Sequence, residues 1–414
     1  MSISAAIWGD ERGIVERLEH YRGAVTVARI CEDLLEAVAL AETGLIDVVL
    51  LAGPSVLVDA ATLDALAERG IPVLVLGAEQ GESERLTALG AILAPPDAGA
   101  EEINAILERA CAAVSAGRST PGATMADQSA DPAGGGKVVV FWGPGGAPGR
   151  STLAVNYAAE SALAGRGVIL VDADTYGASI AIQLGLLDEA AGLAQLCRLA
   201  DQGRLESEGI DRACARVRIA GTGLAVATGL PRPNRWPELR PASIHRVLAA
   251  LRTRFDTIVV DVAAPLELDE DLSFDTLAPQ RNGATIAVLG QADTLHAVGS
   301  ADAIGVPRLL RALEELAEVL PAANPQVVFN KVATATVGPS PQRALNETWE
   351  RFGPAVPIGV YVPSDRAATD AALLAGTVLA ETAPRSPARE AMARLAGHEI
   401  RPKSGFSTGF PRRK

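Results

Sequence analysis

The chain has 414 residues, long enough for two or three domains with separate cores. Its 48% hydrophobic content with only 4% aromatics fits an aliphatic α/β interior and excludes a disordered chain. The formal charge of −13 is uneven: residues 1–115 hold 19 acidic against 7 basic side chains, the remainder is nearly neutral, and no basic surplus marks a nucleic-acid surface.

The first 115 residues alternate short aliphatic runs with amphipathic ones. Strands are expected at Ile3–Trp8, Ala24–Ile30, Asp47–Ala52, Pro72–Leu76 and Ala91–Leu93. Between them, "CEDLLEAVALAETG" and "DAATLDALAERG" read as helices, the second closing on a glycine. Five such units indicate a doubly wound parallel sheet. Asp10 and Glu11 follow the first strand and are hard oxygen ligands suited to a cation. The acidic surplus suits a protein-docking or solubilising surface. Residues 116–136, "AGRSTPGATMADQSADPAGGG", lack the large apolar side chains needed for a core and read as a flexible linker.

A second, larger α/β domain is expected over residues 137–397. It opens with a strand at Val138–Trp142, the loop "GPGGAPGRST" (Gly143–Thr152) and a helix at Leu153–Ala164. Strand, glycine-rich turn and helix in that order make an anion site, because backbone N–H groups converge at a positive dipole end. Against the Walker pattern G-x-x-x-x-G-K-[ST], Pro144 stands at the first glycine and Arg150 at the lysine. Taken alone, the loop is also compatible with simple tight packing. Three further apolar runs bear on that choice. "GVILVDADTYG" ends in Asp172 and Asp174, "FDTIVVDVAAP" in Asp261, and "PQVVFNKV" in Asn330. Polar residues at the C-terminal ends of such strands point into the ligand crevice. The alternative for a lone aspartate there is a helix cap.

These segments, with Asn156 in "STLAVNYAAE" and the late "VPSDRAATDAALLAGTVLAETAPRSP", resemble the MinD/ParA superfamily of deviant-Walker P-loop ATPases. The layout is most similar to the CpaE/TadZ branch, which serves Flp-type (tight-adherence) pilus assembly and also carries an N-terminal receiver-like domain. The resemblance implies two doubly wound parallel-sheet domains, ATP or ADP with Mg²⁺, a homodimer, and partners in pilus or secretion machinery reached through the acidic domain. It implies a phosphate cradle of Gly145, Gly146, Ala147, Pro148, Gly149 and Arg150, with Ser151 on Mg²⁺ and Thr152 on the α-phosphate. Asp261 matches the residue that holds the metal through water. Asp172 and Asp174 match the first switch, with Asp172 at the metal and Asp174 positioning the attacking water. Asn330, Pro363 and Asp365 match the adenine pocket.

The departures from the family pattern are equally specific. The family's early lysine, which reaches a partner's phosphates across the dimer, is Gly145 here. Arg150 is longer and planar where the cradle expects lysine. Pro148 has no N–H to offer, and Ala147 replaces a glycine. In the first domain, "IWGDE" and "DVVLLAG" resemble a response-regulator receiver, yet Ala52 stands at the phospho-acceptor, Ala94 at the lysine and Gly77 at the hydroxyl residue. That combination implies a pseudo-receiver used for contacts.

The remaining signals are plain. Cys31, Cys111, Cys197 and Cys214 are scattered without metal or disulfide spacing and read as free thiols. His20, His245, His296 and His398 lack ligand spacing. "LPRPNRWPELRP" reads as an ordered loop packing Trp236. No run of 18 apolar residues and no leader are present, so a cytoplasmic protein is expected, at the inner face of the membrane or at a cell pole. The basic tail 398–414, with Phe406 and Phe410, is expected to be disordered and to touch an anionic membrane surface. Three functions follow as alternatives: an ATP-binding localisation and assembly factor with weak or absent hydrolysis, a cycling Mg-ATPase of septum-site or partition positioning, and a nucleotide-free scaffold.

Overall fold

The computed structural model describes residues 2–9, 13–21, 23–79, 81–118, 135–186, 190–267 and 280–400. Asp10, Glu11, most of the expected linker and the chain beyond residue 400 lie outside the described residues. In the first domain, β1 (Ile3–Trp8), β2 (Val25–Cys31), β3 (Val48–Leu51), β4 (Val73–Leu76) and β5 (Ile92–Ala94) form a wholly parallel sheet in the order β2-β1-β3-β4-β5. This is one of the two common doubly wound orders. The runs VVLL and VLVL of β3 and β4 are buried residue by residue, as helices on both faces of a sheet require. Asp33 and Asp59 cap the helices Leu34–Thr43 and Ala60–Glu68 by accepting from the N–H groups of Glu36 and Thr62. Gly70, at φ 66°, takes the left-handed turn that ends the second of these helices. The helix Ala100–Arg118 continues three residues past the point where the linker was expected.

The second domain is built on β6 (Lys137–Trp142), β7 (Val168–Ala173), β8 (Ala215–Ile219), β9 (Thr222–Ala227), β10 (Thr257–Val262), β11 (Thr294–Ser300), β12 (Pro325–Val332) and β13 (Ile358–Pro363). Their order is β13-β12-β11-β6-β10-β7-β9-β8, parallel except for the β8–β9 hairpin at one edge. β6 lies near the middle and supplies both cores. Val138, Val140 and Trp142 pack on one face, Val139 and Phe141 on the other. Register then sets the chemistry: Asp261 on β10 lies opposite Phe141 on β6 and opposite Asp172 on β7.

The helix Arg150–Leu163 follows the loop after β6 and is tied down by two buried polar groups. Asn156 donates to the Thr152 carbonyl (2.8 Å) and accepts from the Leu379 N–H (2.9 Å). Glu160 receives Arg389 Nε at 2.7 Å and lies 2.6 Å from His398 Nδ1. His398 was expected in the tail; its N–H instead bonds the Ala393 carbonyl, so it belongs to the folded domain. His296 packs against the rings of Phe141 and Tyr157, which also touch each other, and burial pushes it down to about 4. Trp236 sits in a short 3-10 stretch, Pro233–Glu238, against the core.

The two domains meet on the helices Gly192–Asp201 and Pro241–Arg252. Asp64 of the first domain pairs with Arg246. Asp201 gathers Arg240 (2.7 Å), Ser243 (2.5 Å) and Arg246 (3.5 Å) beside it. Burial pushes the Asp64 carboxyl up to about 6, against the pull of Arg246 and Arg240. Cys31, Cys111, Cys197 and Cys214 are free thiols. Among the described residues, no helix is long and apolar enough to cross a membrane.

Removing one partner of a buried ion pair strands the other charge away from water. Glu160→Ala is therefore expected to destabilise the larger domain by about 3–5 kcal/mol in urea unfolding. A loss below about 1 kcal/mol would show that Arg389 is satisfied by the Pro384 carbonyl and solvent instead.

Candidate functional site

The loop Gly143–Gly149 turns sharply between β6 and its helix. Gly146 (φ 103°), Ala147 (φ 54°) and Gly149 (φ 99°) all lie in the left-handed region. For Ala147 this costs on the order of 1 kcal/mol relative to glycine. A Cβ on Gly149 would run into the Asn330 amide, so the bare backbone is needed there. No atom lies within 4 Å of a Cβ built on Gly145, which leaves that side of the loop open. Ser151 and Thr152 occupy the first turn of the helix Arg150–Leu163, at its positive dipole end.

Arg150 does not project freely. Its Nη1 donates to the Gly143 carbonyl at 2.9 Å, and its Nη2 lies 3.5 Å from Asp174. Asp174 in turn accepts from the N–H groups of Tyr176 and Gly177, both at 2.9 Å. Asp172 is fully buried and accepts from the N–H groups of Asp174, Ser179 and Ile180 at 2.9–3.2 Å. Its carboxylate thus shapes the turn after β7.

Asp261 is different. It is fully buried, and neither carboxylate oxygen has a hydrogen-bond partner. Burial and the facing Asp172 raise its pKa well above the ordinary carboxylate range. The Ser151 hydroxyl and Arg150 pull it down; Ser151 is near, though not at hydrogen-bonding geometry. Burial pushes Asp172 up to about 6, with the surrounding amides opposing. A buried carboxyl group with unpartnered oxygens, beside a hydroxyl and a phosphate-type loop, fits a hydrated Mg²⁺, which takes few protein ligands and keeps its waters. Among the described residues, no ready-made group of three or more His, Cys, Asp or Glu surrounds a metal position.

No protein-family model and no curated protein matches the chain. Solved structures do. A ParA-family ATPase from Chlorobium tepidum TLS superposes with a TM-score of 0.53 at 20% identity, covering 64% of this chain and 99% of that one. Over that share of the chain, the fold is that of a ParA-family ATPase. The septum site-determining protein MinD of Pyrococcus horikoshii OT3, complexed with Mg-ADP, gives 0.48 at 18% identity, over 63% of this chain and 94% of that one. The cell division ATPase MinD of Pyrococcus furiosus gives 0.47 at 19% identity, over 63% and 97%.

Within this ParA-type fold, Asn330 and its neighbour brace the loop from β12. Asn330 donates to the Pro148 carbonyl at 2.8 Å, and Lys331 Nζ to the Ala147 carbonyl at 2.7 Å. Asn330 Oδ1 also accepts the Lys331 N–H, and Lys331 stands at φ 58°. Asn330 is thus bonded to the loop backbone at Pro148 and to the N–H of its own strand neighbour, Lys331. Pro363 ends β13 in register with Val332. Asp365 caps the helix Arg366–Ala375 through the Ala368 N–H and accepts from the Ser386 hydroxyl at 2.7 Å. The structure thus gathers Arg150, Ser151, Asp174, Asp261 and Asn330 around the loop, while Asp365 forms its bonds among the late helices. Lys331 and Arg308, which flank the loop, were not singled out from sequence. Lys331 was visible in "VFNKV"; Arg308 sits in an ordinary amphipathic helix and gave no signal.

Both buried carboxylates hold protons more tightly in the folded chain than in the unfolded one. Their stabilising effect is complete below the ordinary value of 3.8, and stability falls as pH rises above it, through about 6 for Asp172 and well above the ordinary carboxylate range for Asp261. Asp261→Asn is expected to flatten that slope. It should also stabilise the nucleotide-free protein at pH 7 by about 1–3 kcal/mol, read by chemical denaturation at several pH values. Destabilisation of that size would mean that the carboxylate has a structural partner.

Proposed function

We propose that this chain is a nucleotide-binding localisation and assembly factor that holds Mg·ATP or Mg·ADP and hydrolyses ATP weakly or not at all. The observation that carries this reading is Asp261: a buried carboxylate with both oxygens open beside Ser151, retained although it costs stability. Ser151 and Asp261 would hold Mg²⁺, which neutralises phosphate charge when bound. The loop N–H groups and the helix dipole would hold the phosphates, with Thr152 at the α-phosphate. Asn330, Pro363 and Asp365 remain the proposed base side of the site, reached in the case of Asn330 through the loop it braces.

Weak turnover follows from where Arg150 and Asp174 point. Phosphoryl transfer depends on positioned charge, and a single stabilising cation is worth ~10³–10⁵ in rate. Arg150 is drawn to a backbone carbonyl and to Asp174, so one guanidinium both leaves the phosphates and masks the carboxylate proposed to position water.

The first domain, with its parallel order β2-β1-β3-β4-β5, supports the receiver-like reading, and Ala52 at the end of β3 removes a phospho-acceptor. Its acidic surplus suits a protein-contact role. On the sequence resemblance, the system served is a Flp-type pilus, with the chain acting as a homodimer at the cytoplasmic face of the membrane. MinD/ParA-type positioning is the coarser form of the same proposal.

Calorimetric titration with Mg·ATP, with phosphate release followed on the same sample, tests the reading. Expected are saturable binding, little release, and binding weakened at least about tenfold in Asp261→Ala. Steady release would replace this reading with a cycling Mg-ATPase. No heat and no release would leave the loop as architecture.

A further inference from the structure

A cleft of about 280 Å³ opens beside the loop, lined by Pro144, Gly145 and Gly146 on one side and by Asp302, Arg308 and Lys331 on the other. Its charges are unequally free. Asp302 accepts the N–H groups of Ile304 (2.9 Å) and Gly305 (2.7 Å) on one oxygen and the Ser300 hydroxyl (2.5 Å) on the other. Lys331 is bonded to the Ala147 carbonyl. Arg308, in the first turn of the helix Gly305–Val319, is exposed, and among the described residues its guanidinium makes no ion pair or hydrogen bond. It lies over the bare Cα of Gly146, where any Cβ would collide with its Nη1.

We propose that Arg308 is a specificity-determining residue that contacts the terminal phosphate of a bound nucleoside triphosphate. The inference rests on the nucleotide-binding reading above. Arg150 is turned back on Gly143 and Asp174, and Gly145 has no side chain, so Arg308 is the unengaged cation lining this cleft. A guanidinium offers paired N–H donors in the geometry of two phosphate oxygens. The empty space at Gly145 and the flat surface at Gly146 let a long side chain swing along the loop without displacing backbone. A contact to the last phosphate separates triphosphate from diphosphate, because the diphosphate has no group at that position.

Parallel titrations with Mg·ATP and Mg·ADP, on the full chain and on Arg308→Ala and Arg308→Lys, test the proposal. Arg308→Ala is expected to weaken ATP about tenfold or more and to leave ADP within about a factor of two. Arg308→Lys should restore part of the ATP affinity. Thermal unfolding of each variant should show an intact fold. Equal weakening of both nucleotides, or no change in either, overturns the role of Arg308 while the nucleotide site stands. If the unaltered chain binds neither nucleotide, the site itself fails, and the proposal fails with it.

Discussion

Asp172 and Asp261 face each other across β7 and β10 at the buried end of a parallel sheet, and this like-charge pair governs the surrounding structure. A pair of carboxylates removed from water requires donors or protons. Asp172 receives three backbone N–H groups, and those bonds dictate the tight turn that presents Asp174. Asp261 receives none and holds its place by register alone. The asymmetry within one strand pair separates a residue that builds the turn from one that is left open for a ligand.

The loop answers the same field from the other side. Gly146, Ala147 and Gly149 take positive φ, and the carbonyls of Gly143, Ala147 and Pro148 accept from Arg150, Lys331 and Asn330. Pro148 has no N–H to offer a phosphate, but its carbonyl ties the loop to β12 through Asn330. β12 serves as a brace, and β6 delivers the loop from a position between two cores that Trp142 and Phe141 fill on opposite faces.

Much of this was legible in the residues, and unevenly so. β1 was placed to the residue, and β3, β4 and β6 to within one or two, because strands covered on both faces are unbroken aliphatic runs that end where polarity returns. Asp261 stood out for the same reason: a carboxylate at the close of "TIVVDV" has nowhere apolar to go. The destinations of Asn330 and Asp365 were not legible. Both sit at strand ends where sequence implies a crevice, yet their partners, the Pro148 carbonyl and Ser386, are set by chain segments 182 and 21 residues away. His398 shows the same limit, since only the packed fold reveals the Glu160 carboxylate beneath it. The β8–β9 hairpin gave no signal because its five-residue edge strand is half-buried or exposed at every position but the last.

The meeting of the two domains carries a colloidal consequence. Asp64, on the first-domain helix Ala60–Glu68, and Asp201 share Arg246, with Arg240 alongside. That face is closed within the chain. Cutting away the first 115 residues would remove nearly all of the net negative charge and take Asp64 from Arg246, leaving Asp201 to pair with both arginines. A fragment holding only the ParA-type fold would be close to electrically neutral and carry a newly cationic flank, so it would adhere to acidic surfaces that the intact chain repels.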